Sequence, residues 1–313
     1  SFEVLALDDH SNDATLEILT KIAKTNPRLK VISGSPSSGN QSGKNWACSQ
    51  LARQAGGDIL LFTDADTQHK PQTLINVVTA LMGERADLLT GFPRQSVITW
   101  GEKLLVPFFP WASLCFIPLG LGYKLRLPGL TAAVGQLMVF RRDAYFQIGG
   151  HELLGAAIVD DLFLARKIKA AGFCWRVASI SDLVSCRMYR GGKETVAGFT
   201  KNLFAAFDFR ISIFIFVYFW LAILFFLPLI ILGAWFLGQA PQAKLTELVL
   251  CISLSLFVWF IPFKEIGVPI GLGLLYPWII LANEIVAIRS MLYSLSGRLT
   301  WKDRPLQKPK WKW

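Results

Sequence analysis

Two carboxylates one residue apart, Asp64 and Asp66, follow the apolar run Ile59-Leu60-Leu61-Phe62-Thr63. At a strand end such a pair can hold a hard divalent cation, and that cation would neutralise a diphosphate. A second acidic run, Asp8-Asp9-His10-Ser11-Asn12-Asp13, closes the apolar residues 2–7. A carboxylate there can accept hydrogen bonds from a ribose or a base N–H. A third pair, Asp160-Asp161, follows the apolar residues 156–159. Desolvation lifts a carboxylate pKa toward neutrality, so this pair offers a candidate general base. Lys44, after Gly43 in a loop rich in Ser and Gly, can pair with a phosphate. Each feature also has a plainer reading: a solvated turn at Asp64 and Asp66, an N-cap at Ser11 or Asp13, first-turn acids at Asp160-Asp161, a surface lysine at Lys44.

Placing these residues requires strand ends and helix starts at the right points. Residues 2–7, 29–32, 59–63, 86–90 and 135–140 read as strands. Residues 14–25, 44–55, 71–82 and 142–148 read as helices, and 160–171 as a helix closed by Gly172. Strands alternating with helices predict a mostly parallel sheet, whose ligands bind beyond the carboxyl ends of the strands. Two of the acidic runs stand at such ends.

The 313 residues are 53% hydrophobic, with a mean hydropathy of +0.43. Residues 1–96 have the make-up of an ordinary soluble α/β chain, whereas 211–292 are dominated by Ile, Leu, Phe and Trp. Residues 211–237 predict a membrane span; 247–263 and 266–288 are further apolar stretches, the first barely long enough. Residues 104–122 are also apolar, but Pro107, Pro110 and Pro118 interrupt them. A single crossing there would put Asp64 and Asp66 on the opposite side of the membrane from Asp160 and Asp161, so an interfacial or re-entrant segment is expected.

The formal net charge is +10, and Arg298, Lys302, Arg304, Lys308, Lys310 and Lys312 crowd the tail. A basic segment beside apolar helices marks a cytoplasmic membrane surface. No nucleic-acid-binding motif accompanies the charge. A transporter would place charged groups within its spans, and 211–237 has none. Five cysteines without a CxxC pair argue for a reducing compartment, and three histidines without ligand spacing argue against zinc. The chain opens at Ser1 inside a strand, which reads as a piece of a longer protein lacking an N-terminal stretch.

Taken in order, Asp8-Asp9-His10-Ser11-Asn12-Asp13, Gly43-Lys44, Asp64-Ala65-Asp66, Gly149-Gly150, and Asp160-Asp161 followed by Leu164, Arg166 and Gly172 resemble the inverting family-two glycosyltransferases. The resemblance covers residues 1–205. It implies an α/β architecture: a GT-A (Rossmann-like) nucleotide-sugar-binding domain followed by C-terminal transmembrane helices. It implies that Asp8, Asp9, Lys44 and Asp64 bind the donor, with Asp9 at the nucleoside. Asp64 and Asp66 would hold Mg2+ or Mn2+ on the donor diphosphate. Asp161 would deprotonate the acceptor hydroxyl, giving inversion. Asp160, Tyr189, Arg190 and Lys201 are candidate acceptor or product contacts.

Two departures refine the expectation. The first strand of the family fold is missing, and so is the Q/RxxRW motif of processive cellulose- and chitin-type synthases. In its place stand Met188-Tyr189-Arg190 and Gly198-Phe199-Thr200-Lys201-Asn202. These look more like single-transfer enzymes that glycosylate membrane lipids, carotenoid glycosyltransferases in particular. Trp301-Lys302-Asp303-Arg304 is similar to a basic terminal motif of those enzymes. The expected organisation is a glycosyltransferase domain over 1–205 with 104–122 interfacial, a transmembrane region over 206–292, and a basic cytoplasmic tail over 293–313. The expected partners are a nucleotide-sugar donor (a UDP-sugar), a lipid acceptor and the cell membrane, with no nucleic acid. The catalytic domain of this multi-pass protein is expected on the cytoplasmic side. Three crossings would put the tail outside, so one of 247–263 and 266–288 is expected not to cross independently, the two pairing as a re-entrant hairpin. The alternatives are a synthase extending a polysaccharide and a polyprenyl-phosphate sugar transferase.

Overall fold

The computed structural model describes residues 1–36, 42–155, 157–240, 242–301, 304–306, 308 and 310–313. Most of the Ser/Gly loop before Gly43 (residues 37–41), Ala156, and Lys302 and Asp303 of the terminal motif lie outside the described residues. The chain divides into two compact units, and its segments alternate between them. The first comprises 1–65, 71–91 and 119–178; the second comprises 66–70, 92–118 and 179–313.

In the first unit, strand β1 (Val4–Asp8) runs parallel to β2 (Leu29–Ser33), with helix Thr15–Thr25 between them in sequence. Strand β3 (Ile59–Phe62) leads on to β4 (Thr67–His69), then to helix Thr73–Gly83, β5 (Leu88–Phe92) and β6 (Arg94–Gln95). After three short helices come β7 (Met138–Arg141), β8 (Trp175–Ser179) and β9 (Val184–Cys186). The main sheet has the order β3-β7-β5-β8. All five residues of β5 are buried, as a strand covered on both faces requires. Leu88, Leu89, Leu137, Val139, Phe140, Ala165 and Ile168 are each at most 1% exposed and form this unit's core. Burying one such large side chain stabilises the fold by about 1.5–3 kcal/mol.

The expectation of a mostly parallel sheet needs correction. Strand β7 is antiparallel to both β3 and β5, so β3 and β5 run parallel to each other with β7 inserted between them. The alternation rule assumes one crossover helix per strand. Residues 93–137 hold several elements instead, so the chain can re-enter the sheet from its opposite end. The strand expected over 135–140 begins only at Met138, because Gly135 and Gln136 form a turn.

In the second unit, β4, β9 and β6 form a small sheet, β9 antiparallel to β4 and parallel to β6. Most of residues 104–122 resolve into helices Trp100–Leu105, Phe108–Phe116 and Leu119–Lys124, of which the first two belong to this unit. At about 1.5 Å per residue none of them reaches across a bilayer. Phe108 and Trp111 are buried; the Trp111 indole N–H donates to the Val258 carbonyl (3.0 Å) and its ring stacks on Trp259 at 3.8 Å.

Three helices among the described residues are long and apolar enough to cross a membrane: Ile211–Phe236, Leu245–Glu265 and Ile270–Ser296. The first exposes Ile215, Phe216, Phe219, Trp220 and Ile230, an apolar surface that water would penalise and lipid would not. The third buries Asn283, Ser290 and Ser294. Asn283 donates to the Leu104 carbonyl and Ser290 accepts from the Phe204 N–H, both at 3.0 Å.

Helices Trp100–Leu105 and Gly192–Ala206 meet at two glycines. A Cβ on Gly101 would lie 2.5 Å from the Gly192 Cα, a backbone atom that cannot rotate away. Gly101→Ala is therefore expected to destabilise the protein by about 1–3 kcal/mol. Thermal unfolding in detergent measures it, and an unchanged midpoint would refute the close approach.

Candidate active site

Strand β1 ends at Asp8, which is 5% exposed. Its Oδ2 accepts the Ser11 N–H at 3.3 Å, while its Oδ1 is buried with no hydrogen-bond partner among the described residues. An orphaned buried oxygen is costly unless a ligand supplies a donor. His10 adopts a left-handed backbone conformation (φ 59°), which turns the chain sharply after Asp9. A Cβ on Gly43 would stand 3.3 Å from Asp9 Oδ2, so this carboxylate lies against the start of helix Gly43–Gln54. Ser42 caps that helix by accepting the Asn45 N–H.

The next residue of that helix reaches the other acids. Lys44 Nζ lies 2.9 Å from Asp64 Oδ1, just past β3, and 3.3 Å from Asp160 Oδ2, at the start of helix Asp160–Ala170. Burial alone would lower the Lys44 pKa. Asp160 and Asp64, with Asp161 behind them, outweigh it and hold the ammonium above the ordinary lysine value. Asp161 is half-buried; its Oδ2 accepts the Gly135 N–H at 2.9 Å and its Oδ1 accepts the Leu162 N–H at 2.8 Å. Burial pushes its carboxyl up to about 6, the negative charge of Asp160 adds to the rise, and Lys44 and the two amides restrain it.

Asp9, Lys44, Asp64, Asp160 and Asp161 thus come together in the first unit, with Asp8 adjoining Asp9. Asp66, Tyr189, Arg190 and Lys201 belong to the second unit. There Tyr189 is 6% exposed, its ring packed against Phe199 and against Gly198, where a Cβ would collide with it. The Arg190 N–H donates to Glu194 Oε2 (2.7 Å), and Lys201 is half-buried on helix Gly192–Ala206.

The glycine pair also has a local explanation. Gly149 and Gly150 both have positive φ, and a Cβ on Gly150 would strike the buried Tyr145 ring.

Several positioning residues carry no catalytic look in the sequence. Asn45, 1% exposed, donates to the carbonyls of Gly155 (3.1 Å) and Ala157 (3.3 Å), tying the Lys44 helix to the segment that leads to Asp160. Gly135 supplies the backbone donor to Asp161, and Thr63 Oγ1 holds the adjacent Gln136 carbonyl at 3.0 Å. In the second unit, fully buried Glu102 accepts from the N–H groups of Ile98 and Gly191, from Thr99 Oγ1 and from Arg187. Burial opposes its ionisation, but Arg187 and these donors prevail and hold its carboxyl down to about 2. Thr99-x-x-Glu102 has capping-box spacing, the one cue by which the sequence announces it.

Residues 1–149 match the sequence profile described as Glycosyl transferase family 2. The beta-monoglucosyldiacylglycerol synthase of Trichormus variabilis is 34% identical over 170 residues, which are 53% of this chain and 34% of that protein. The 4,4'-diaponeurosporenoate glycosyltransferase of Staphylococcus haemolyticus is 23% identical over 203 residues, 64% of this chain and 53% of that protein. The chain spans 34% to 58% of the length of the curated relatives it matches. Among solved structures, the mannosyltransferase PcManGT from Pyrobaculum calidifontis, in complex with GDP-Man and Mn2+, superposes with a TM-score of 0.50 at 18% identity. That likeness covers 94% of this chain and 77% of the other, and it speaks for the fold. With the strand-end carboxylates in place, residues 1–149 have the sequence of a glycosyl transferase family 2 domain, and the fold is the GT-A fold.

Proposed function

We propose that the protein transfers a hexosyl group from a nucleotide-sugar donor, a UDP-sugar, to the hydroxyl of a membrane lipid, once per acceptor and with inversion. The observation that carries this reading is the gathering of Asp64, Asp160 and Asp161 around the Lys44 ammonium at a strand end and a helix start. Asp8 and Asp9 bind the nucleoside side of the donor, the orphaned Oδ1 of Asp8 finding its missing donor there. Lys44 faces the phosphates. Asp161 takes the acceptor proton while the acceptor oxygen bonds to the anomeric carbon and that carbon's bond to the diphosphate breaks. One base and one in-line displacement give inversion. Asp160, Tyr189, Arg190 and Lys201 are assigned to the acceptor side. The names of the two lipid- and carotenoid-modifying relatives support an apolar acceptor, and a carotenoid is one candidate.

No group of three or more His, Cys, Asp or Glu among the described residues stands ready to hold a metal ion by itself. Asp64 and Asp66 nevertheless supply hard carboxylate oxygens of the kind Mg2+ or Mn2+ takes together with substrate phosphates and water. When bound, the ion neutralises the diphosphate of the leaving nucleotide. Purified protein incubated with nucleotide sugars and a membrane lipid extract is expected to yield a glycolipid bearing one added hexose, identified by mass spectrometry. EDTA or Asp66→Asn is expected to abolish it. Long saccharide chains, a sugar on a polyprenyl phosphate, or turnover indifferent to EDTA would each refute the corresponding part.

The domain division proposed is 1–205 catalytic, 206–292 transmembrane and 293–313 a basic tail, with catalytic domain and tail both cytoplasmic. Support for a shared side comes from the tail itself. The Lys312 carbonyl accepts the Ile211 N–H (2.8 Å), the Lys312 N–H donates to the Phe209 carbonyl (2.9 Å), and Lys312 Nζ pairs with Asp208 (2.8 Å). The chain's end thus sits beside the start of the first apolar helix. Both ends on one side require an even number of crossings, so only one of Leu245–Glu265 and Ile270–Ser296 is assigned an independent crossing. Ser296→Cys, at an exposed position, is expected to resist an impermeant thiol reagent in sealed cells. Ready labelling would show that all three helices cross.

A further inference from the structure

The far end of the helix that begins at Asp160 carries a second charged site. Lys169 is 5% exposed, and at about 1.5 Å per residue it stands about 13 Å along the helix from Asp160. Its ammonium donates to the Gly122 carbonyl and lies over the Trp175 ring, 5.2 Å from the centroid. Among the described residues no carboxylate pairs with it. It borders a cavity of about 210 Å³ whose wall includes Tyr123, Lys124, Arg126, Gly172, Trp175 and Arg176.

The charge in this cavity is lopsided. Arg126 lies against Gly172, where a Cβ would stand 3.7 Å from its guanidinium carbon. Arg176 stacks over Tyr123 at 4.6 Å and is answered by Glu84 at 3.1 Å. Four cations therefore face one cleft, and one surface carboxylate offsets part of their charge. Lys167 and Lys169 complement the negative end of their own helix, but Lys124, Arg126 and Arg176 come from other elements and need another explanation. A buried cation held among like charges is costly unless an anion neutralises it.

Leu125 in the cavity wall and its sequence neighbours Leu121 and Leu127 indicate which anion. Leu121, Leu125 and Leu127 are 49%, 40% and 52% exposed, and they alternate with Lys124 and Arg126 along the chain. Apolar side chains interleaved with basic ones suit the boundary between lipid headgroups and acyl chains. We propose that this cavity binds the phosphate headgroup of an anionic phospholipid, with the three leucines entering the acyl boundary beside it. The site is separate from the catalytic cluster, lies wholly in the first unit, and would hold that unit against an anionic leaflet.

The test uses the full chain in detergent and a fluorescent short-chain phosphatidylglycerol, with binding read by anisotropy, so it stands apart from any sugar-transfer activity. The doubly substituted Lys124→Gln, Arg126→Gln protein changes two exposed side chains and is expected to keep the wild-type unfolding midpoint. Its affinity for the probe should fall by about 10- to 30-fold, in line with two basic groups lost at a lipid surface. Lys308→Gln with Lys310→Gln, in the basic tail, should leave affinity near wild type. A phosphatidylcholine probe should bind weakly, and inorganic phosphate at matched concentration should not displace the lipid. Wild-type affinity in the cavity double variant would overturn the proposal. So would loss in the tail variant alone, equal binding of phosphatidylcholine, or displacement by phosphate, the last identifying a free-phosphate site.

Discussion

Asp161→Asn is expected to lower the turnover number by about 10²–10⁴-fold, the usual contribution of a positioned general base. An acceptor hydroxyl titrates far above neutrality, so its proton must leave as the new bond to the sugar forms. Asn preserves the shape and keeps one acceptor oxygen for the Gly135 or the Leu162 amide, but it cannot take that proton. Donor affinity should therefore stay close to wild type, the pattern of an interaction made only in the transition state. The wild-type rate carries a second signature. With the Asp161 carboxyl near 6, the base is the ionised form, so activity should rise with pH through that value. At pH 5 only about a tenth of the carboxyls would be ionised. Asp160→Asn should cost less, because Asp160 faces Lys44. A dead Asp160→Asn beside an active Asp161→Asn would reverse the roles, and two active variants would move the base elsewhere.

Lys44→Met is expected to shift that acid limb upward by about 1–3 pH units, the range for removing a close opposite charge from a carboxylate. The sign follows from the environment of Asp161. The Lys44 ammonium lowers the Asp161 pKa, while burial and Asp160 raise it. Without the ammonium, both raising influences remain, and Asp64 and Asp160 lose the cation that bridges them at 2.9 and 3.3 Å. Near pH 7 the variant should lose about twofold to a hundredfold in turnover across that range of shifts and recover part of it toward pH 9. Lys44→Arg, which keeps the charge, should hold the limb near its wild-type position. A profile that does not move in Lys44→Met would show that the lysine serves donor binding alone, a role read instead from donor affinity.

What could be read from the residues alone was whatever depends on near neighbours in the chain. Asp8, Asp64 and Asp160 stand at or just past a strand end or at a helix start because apolar runs of strand length and helix-starting residues are local features. The apolar stretches after residue 210 are legible for the same reason, since crossing a bilayer needs only length and composition. The antiparallel insertion of β7 was hidden because strand pairing depends on where a long excursion returns, which periodicity does not encode. The residues proposed for the acceptor side show the same gap: Tyr189 and Arg190 are conspicuous in sequence, yet Tyr189 is closed into packing against Gly198 and Phe199.

Sequence by itself determined which side chains carry charge, where the acidic pairs stand on their elements, and that stretches within residues 211–292 are apolar enough to cross a membrane. Tertiary structure alone decided that Lys44 meets Asp160 across more than a hundred residues, that Asn45 locks the two helix starts together, and that a glycine amide faces Asp161. Those decisions set the protonation behaviour of the site, because the energy of a charge depends on distance and on exclusion of water, and neither quantity is a property of a residue's place in the chain.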